Sequence, residues 1–369
     1  MKIDLLYEIQ IPLPHGPTTE RDYFWQALAQ VEAADRAGFG CAWAVEHHFL
    51  TEFAHSSAPE VFLTACAMRT ERIRIGHGVA LLPQRFNHPI RVAERAATLD
   101  IYSKGRLEFG TGRSSPYEQA GFEVPTEESR AQWQEALEMI PRMWERKKFA
   151  HSGKYWNVPE RDVIPKPVQD PHPPLWMAGT SPDSWALAAK NGIGILLLSI
   201  YVPVDVVKGQ LANYRRDIKH ARPVGKFVNE QCGIFTIVHC AENEKQVEEN
   251  NAHAAAIEYL NYAFKVFASG ITPEAAKAGD SPYLSMDLTT QYPLLPKMIK
   301  GEVTYDELDQ EDMVIIGDVD HVIKKLERYR DAGADRMLCL MQGARIPHAA
   351  VMKSIELFGK YVIPEFDRG

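Results

Sequence analysis

The sequence contains no C-x-x-C pair, and its five cysteines cannot all pair with one another. Three of them lie in apolar runs, so free buried thiols in a reducing compartment are the expectation. No apolar run reaches 18 residues. The longest candidate, 193–204, is interrupted and too short to span a bilayer. The first residues, MKIDLLYEIQ, lack the apolar core of a signal peptide and carry Asp4 and Glu8. A cytoplasmic protein is therefore expected. An excess of positive charge is also missing. Lys and Arg number 41 against 49 Asp and Glu, a net charge of −8. That excludes a chain-wide basic footprint for nucleic acid or for an anionic membrane. There is no low-complexity stretch and no short repeat.

What is present is ordinary globular composition with a strong alternation. Apolar residues make up 45% of 369, enough for a large core. Apolar strand-like runs are predicted at 2–7, 41–45, 72–82, 106–111, 175–178, 193–199, 232–240 and 335–341. Helical patterns follow at 19–37, 59–69, 89–102, 126–147, 182–190, 204–220, 242–266 and 347–361. Pro141 should kink the fourth of these helices or end it early. Eight strands alternating with helices call for parallel pairing through crossovers. A closed (β/α)8 barrel, a TIM barrel with insertions, accounts for this in one domain spanning 1–369. A doubly wound sheet has the same periodicity. Two stretches break the beat. The proline-rich 151–174 reads as an ordered, extended excursion. Residues 268–312 read as an insertion, placed where barrels carry mobile lids over the site.

Three segments carry candidate chemistry. AVEHHF (residues 44–49) ends the second strand, where barrels place catalytic residues. If the chain stays extended there, Glu46 and His48 share one side and His47 faces the other. A metal site is one reading, but no HExxH, second HxH or carboxylate cluster accompanies it. Simple strand-end hydrogen bonding is another. EFGTGRSSP (108–116) follows the fourth strand. Its small residues allow close backbone approach, and Arg113 suits a phosphate. An ordinary surface ion pair is the plainer role for that arginine. MAGTSPDSW (177–185) places Thr180, Ser181 and Ser184 at a helix start. Ser181 would cap it, and the same orphan N–H groups bind phosphate. Trp25, Tyr117, Phe122, Trp185 and Tyr201 are candidates for a substrate pocket, although aromatic residues more often simply pack.

Taken together, these motifs are similar to the bacterial luciferase-like family of flavin-dependent monooxygenases. The resemblance runs over nearly the whole chain: EHHF with TEF, RIRIGHGVALLP, HPIRVAERAATLDIYSKGRLEFGTGR, SRA, AGTSP, IIGD, AGADRMLCLMQGA and SIELFGKYVIPEF. It implies a barrel that binds FMN as FMNH2, supplied by a separate flavin reductase, and uses O2. One oxygen would pass through a C4a-peroxyflavin into a small organic substrate, an aldehyde or another apolar compound. Carried over by position, His47 is catalytic and Glu46 is catalytic and beside the flavin. Gly78 and Val79 form a non-proline cis peptide under the ring. Arg113, Ser115, Arg130, Thr180, Ser181 and Ser184 fall at cofactor positions, most of them around the phosphate. No metal is implied, and homodimers are the commoner assembly.

The chain also departs from luciferase. Gly112 stands where luciferase has a reactive cysteine, and Gly78–Val79 replaces an Ala-Ala pair. Light emission does not follow from the resemblance. A deazaflavin-dependent hydride-transfer enzyme is the rival on the same fold. A metal-dependent barrel hydrolase using Glu46 and the two histidines is the rival from another class.

Overall fold

The computed structural model describes residues 1–179, 182–200, 202–267, 294–343 and 345–367. Eight parallel strands close on themselves. They are β1 (Lys2–Tyr7), β2 (Cys41–Ala44), β3 (Arg74–Leu81), β4 (Leu107–Gly112), β7 (Leu175–Ala178), β8 (Gly194–Leu198), β9 (Cys232–Cys240) and β11 (Arg336–Leu340). Each pairs with the next in that order, and β11 returns to β1, as in Lys2 opposite Arg336. Two further strands, β5 (Phe149–Ser152) and β6 (Asn157–Arg161), form an antiparallel hairpin outside the ring. The short β10 (Ile315–Gly317) adds beside the end of β9. The barrel is thus realised over the doubly wound alternative.

Glycines on the strands make room for the interior. A Cβ on Gly76 would lie 2.3 Å from the Trp43 ring, and one on Gly194 would lie 2.5 Å from the Trp176 ring. These two indoles meet edge to face at 5.4 Å. Their N–H groups donate to the carboxylates beneath, Trp43 to Asp4 at 2.9 Å and Trp176 to Glu108 at 2.7 Å. Arg336 grips both oxygens of Asp4 at 2.6 and 3.2 Å. A satisfied polar layer therefore fills the N-terminal half of the barrel. The opposite, C-terminal ends of the strands are left for the site.

The outer helices match the predicted ones closely in α1 (Thr19–Ala37), α2 (Pro59–Arg69) and α3 (Pro89–Tyr102). Prolines at N1 or N2 start α2 and α3, where their missing N–H costs nothing. The short α4 (Pro116–Gly121) was not anticipated, and α5 (Thr126–Trp144) ends before its predicted bound, in line with the expectation for Pro141. The helix runs past that buried proline and ends at Trp144, short of Lys147. One lost hydrogen bond near a helix end is outweighed by the buried face around it, which includes Trp133, Leu137 and Ile140.

Beyond α6 (Pro182–Asn191) and α7 (Val204–Asp217), the pattern at 242–266 divides into α8 (Glu244–Glu249) and α9 (Ala252–Phe267). Asn251, at φ 59°, separates them. Residues 268–293 of the expected lid lie outside the described residues. Its remainder contains α10 (Leu295–Lys300) and α11 (Tyr305–Gln310). The last crossover helix, α12 (Val319–Ala332), was also not anticipated; Asp318 caps it by accepting from His321 N. The closing helix, α13 (His348–Leu357), gives way to a π turn and then α14 (Ile363–Phe366). The proline-rich excursion is ordered, as expected, and holds the β5–β6 hairpin. All five cysteines are free and buried. Among the described residues no helix is long and apolar enough to cross a membrane.

Candidate active site at the C-terminal face

The chain leaves β2 at Ala44 and enters the EHHF segment without pairing as a strand. The alternation expected of an extended segment nevertheless holds. Glu46 and His48 meet on one side, at 3.5 Å. His47 turns the other way, and its Nδ1 lies 2.9 Å from Glu118 Oε1.

Glu46 is held firmly. Its Oε2 accepts from Leu81 N at 2.8 Å and its Oε1 from Asn87 Nδ2 at 3.0 Å. The carboxylate therefore ties the end of β2 to the end of β3. The Gly78–Val79 peptide bond of β3 is cis. The β3–β4 register shifts between His77 and Ala80, across that bond. Val79 is directed at β4: a Cβ on Gly112 would lie 2.4 Å from Val79 Cγ2.

Glu118 was missed from sequence. It sits in α4, fully buried, and accepts from His48 N at 2.8 Å as well as meeting His47. Its other oxygen takes the Ser115 hydroxyl at 2.8 Å in a reciprocal capping box. Ser115, expected at the cofactor, thus spends its hydroxyl on the cap in this structure. The signal was present as S-P-Y-E, the S-x-x-E cap pattern. Burial pushes the His47 imidazole toward neutrality, but the charge and hydrogen bond of Glu118 outweigh it. Glu8 and Glu46 add to that, raising His47 to about 8. Burial also opposes the charge on Glu118, and His47 with its hydrogen bonds wins there too, lowering it to about 2. The pair is an imidazolium–carboxylate at neutral pH.

Glu8, just past β1, is a second missed carboxyl. It is 3% exposed, and burial raises it to about 7, against the lowering charge of His47 and a hydrogen bond from Tyr259.

The candidate phosphate residues also converge. Arg113, half-buried after β4, donates from Nη1 to Ser129 Oγ at 3.2 Å. The next residue, Arg130, reaches Asp183 on the first turn of α6 at 3.8 Å. Ser184 on the same turn is buried, and a Cβ on Gly179 would lie 2.4 Å from its Cβ. Three segments distant in sequence thus present two guanidiniums and a serine at one corner. Thr180 and Ser181 lie outside the described residues.

Of the aromatic candidates, Phe122 packs edge-on to His48 at 4.8 Å, and Trp185 is buried. Trp25 and Tyr117 are exposed, and Tyr201 is outside the described residues. No three His, Cys, Asp or Glu side chains gather as a metal set among the described residues.

Comparison with known proteins bears on the family and the fold. Residues 3–336 match the family model described as luciferase-like monooxygenase. The oxygenase component of a flavin-dependent trigonelline monooxygenase from Acinetobacter baylyi is 26% identical over 323 residues, 86% of this chain and 83% of that one. Limonene 1,2-monooxygenase from Rhodococcus erythropolis is 29% identical over 357 residues, covering 93% and 81%. The crystal structure of monooxygenase RslO1 from Streptomyces bottropensis superposes with a TM-score of 0.79 at 25% identity, covering 99% and 100%.

Proposed function

The chain belongs to the luciferase-like monooxygenase family, and from that premise we propose that it is the oxygenase of a two-component system. It would take FMNH2 from a separate reductase and use O2 to oxygenate a small organic substrate. The observation that carries this is the corner formed by Arg113, Ser129, Arg130 and Ser184 at the C-terminal face. The donor set fits an FMN phosphate: two guanidiniums and serine hydroxyls suit a dianion. The Arg130–Asp183 pair is long and exposed, so a phosphate would displace it readily. Thr180 and Ser181 complete the proposed phosphate site. Bound reduced FMN would supply the reaction with O2.

The chain's own residues then have separate tasks. Gly78 and Val79 form the floor for the ring. Glu46, tied to Leu81 and Asn87, fixes the floor's edge and is a positioning residue. With Nδ1 engaged by Glu118, His47 holds and releases a proton at Nε2 toward the bound molecules. The described residues show no metal set for the hydrolase reading. The deazaflavin reading is separated from FMN by the relative affinity of the chain for the two reduced cofactors. We place the protein in the cytoplasm and assign it a homodimeric state.

His47→Ala tests the reading at its centre. FMNH2 affinity stays within about twofold, because the phosphate corner is untouched, while product formed per FMNH2 consumed falls about tenfold or more. Product yield equal to wild type rejects the role of His47.

A further inference from the structure

Glu8 has no task in the proposed reaction, yet it is built into the same face. Its carbonyl accepts from His55 N at 3.1 Å and Ser56 N at 3.2 Å, while Ser56 O accepts from His47 N at 3.1 Å. The Ser56 hydroxyl also donates to Val45 O at 2.7 Å. One short strap therefore pins the ends of β1 and β2 together, with Glu8 and His47 side by side.

The two oxygens of Glu8 are not equivalent. Oε1 accepts the Tyr259 hydroxyl of α9 at 2.8 Å. Oε2 is buried and has no hydrogen-bond partner among the described residues. The titratable groups facing it are His47, Tyr259 and Glu118. His47 is already matched to Glu118, so that pair is close to neutral as a unit. The His47 charge, already drawn to Glu118, lowers Glu8 by less than burial raises it, so burial favours the acid. Since Oε1 accepts the hydrogen bond of the Tyr259 hydroxyl, it plays the carbonyl part. The acid proton then belongs on Oε2, which becomes a buried donor lacking an acceptor. Leaving such a group unsatisfied is unfavourable. The two groups that flank Glu8 are themselves packed by rings: Phe53 and Phe235 approach Tyr259 at 4.9 and 6.3 Å, and Phe53 approaches His47 at 6.1 Å.

We propose that Glu8 is a specificity-determining residue, donating a hydrogen bond from Oε2 to the acceptor oxygen of a neutral, otherwise apolar substrate of the ketone or aldehyde class. An anionic ligand is disfavoured by Glu118 and by any ionised Glu8. An ammonium would meet a Glu8 that burial holds protonated below about pH 7. The proposal rests on the oxygenase reading of the site for the chemistry after binding, and not for binding itself.

The test uses the full chain with 2-decanone, n-decane and n-decylamine as probes, titrated by calorimetry with and without FMN. Glu8→Gln keeps an acceptor for Tyr259 and a donor toward the ligand, so its ketone affinity stays within about twofold of wild type. Glu8→Leu binds the ketone about tenfold more weakly, and n-decane binds equally to all three proteins. Difference infrared spectra below pH 7 show a protonated-carboxyl band that moves when ketone is added and is missing in Glu8→Gln. Wild-type ketone affinity in Glu8→Leu overturns the proposal, as does an ionised Glu8, a preference for the amine, or no ketone binding to wild type. FMN affinity, measured on the same samples, separates the two ideas. Loss of FMN binding with Glu8-dependent ketone affinity intact sinks the oxygenase reading alone. Normal FMN binding with ketone affinity indifferent to Glu8 sinks this inference alone.

Discussion

His47 lies between two buried carboxyls that burial and pairing drive in opposite directions. Glu118 is held as an anion at about 2, and Glu8 is pushed up to about 7. The cation on His47 depends on Glu118, because burial alone favours neutral imidazole. Glu118→Gln therefore brings the His47 midpoint down from about 8, leaving only Glu8 and Glu46 to oppose burial. Histidine ring signals followed by NMR across pH report this directly, and an unmoved midpoint contradicts the pairing. Stability takes its pH dependence from the same pair. His47 is raised in the fold, so its pairing contributes fully below 6.5 and is lost as pH rises through about 8. Glu118 is lowered, so its contribution is present above 4.5 and is lost as pH falls toward about 2. Glu46 and His47 were legible in sequence because polar groups end an apolar strand at a barrel's productive face. Glu118 was not, because its partner lies 71 residues away and only folding sets that distance.

At the scale of elements, the floor of the site is a matter of volume. Val79 occupies the space that a side chain at position 112 would need. Gly112→Ala should cost about 1–3 kcal/mol from overpacking, and adding Val79→Ala should recover most of it. Urea unfolding of the two single variants and the double variant measures the coupling; additive losses contradict it. Gly78, Val79 and Gly112 stood out in the sequence, but the contact between positions 79 and 112 did not, because volume is shared only in space. Element prediction followed the same rule. The strands of the barrel stood out as apolar runs bounded by turns. α12 was overlooked because its exposed face is densely charged and it follows a strand, β10, that lies outside the ring. α4 is short, and its cap is its clearest sequence signature.

For the whole molecule, the barrel closes around Trp43 and Trp176, and the proposed site residues among the described ones lie toward the opposite end from Asp4 and Arg336. The outer face of α2 carries Ala58, Val61, Ala65 and Met68 at helical spacing, with Val61 and Met68 more than 60% exposed. A second copy of the chain is the partner assigned to it. Val61→Glu with Met68→Glu should give a monomer by sedimentation, whereas an unchanged mass moves the contact elsewhere. The central claim concerns one mononucleotide at one corner, and an anaerobic FMNH2 titration of wild type and Arg113→Ala, run beside reduced deazaflavin, tests it most directly. The account predicts that wild type binds FMNH2 more tightly than deazaflavin, and that Arg113→Ala weakens FMNH2 by about tenfold or more. Failure of wild type to bind FMNH2, a preference for deazaflavin, or indifference to Arg113 would contradict it.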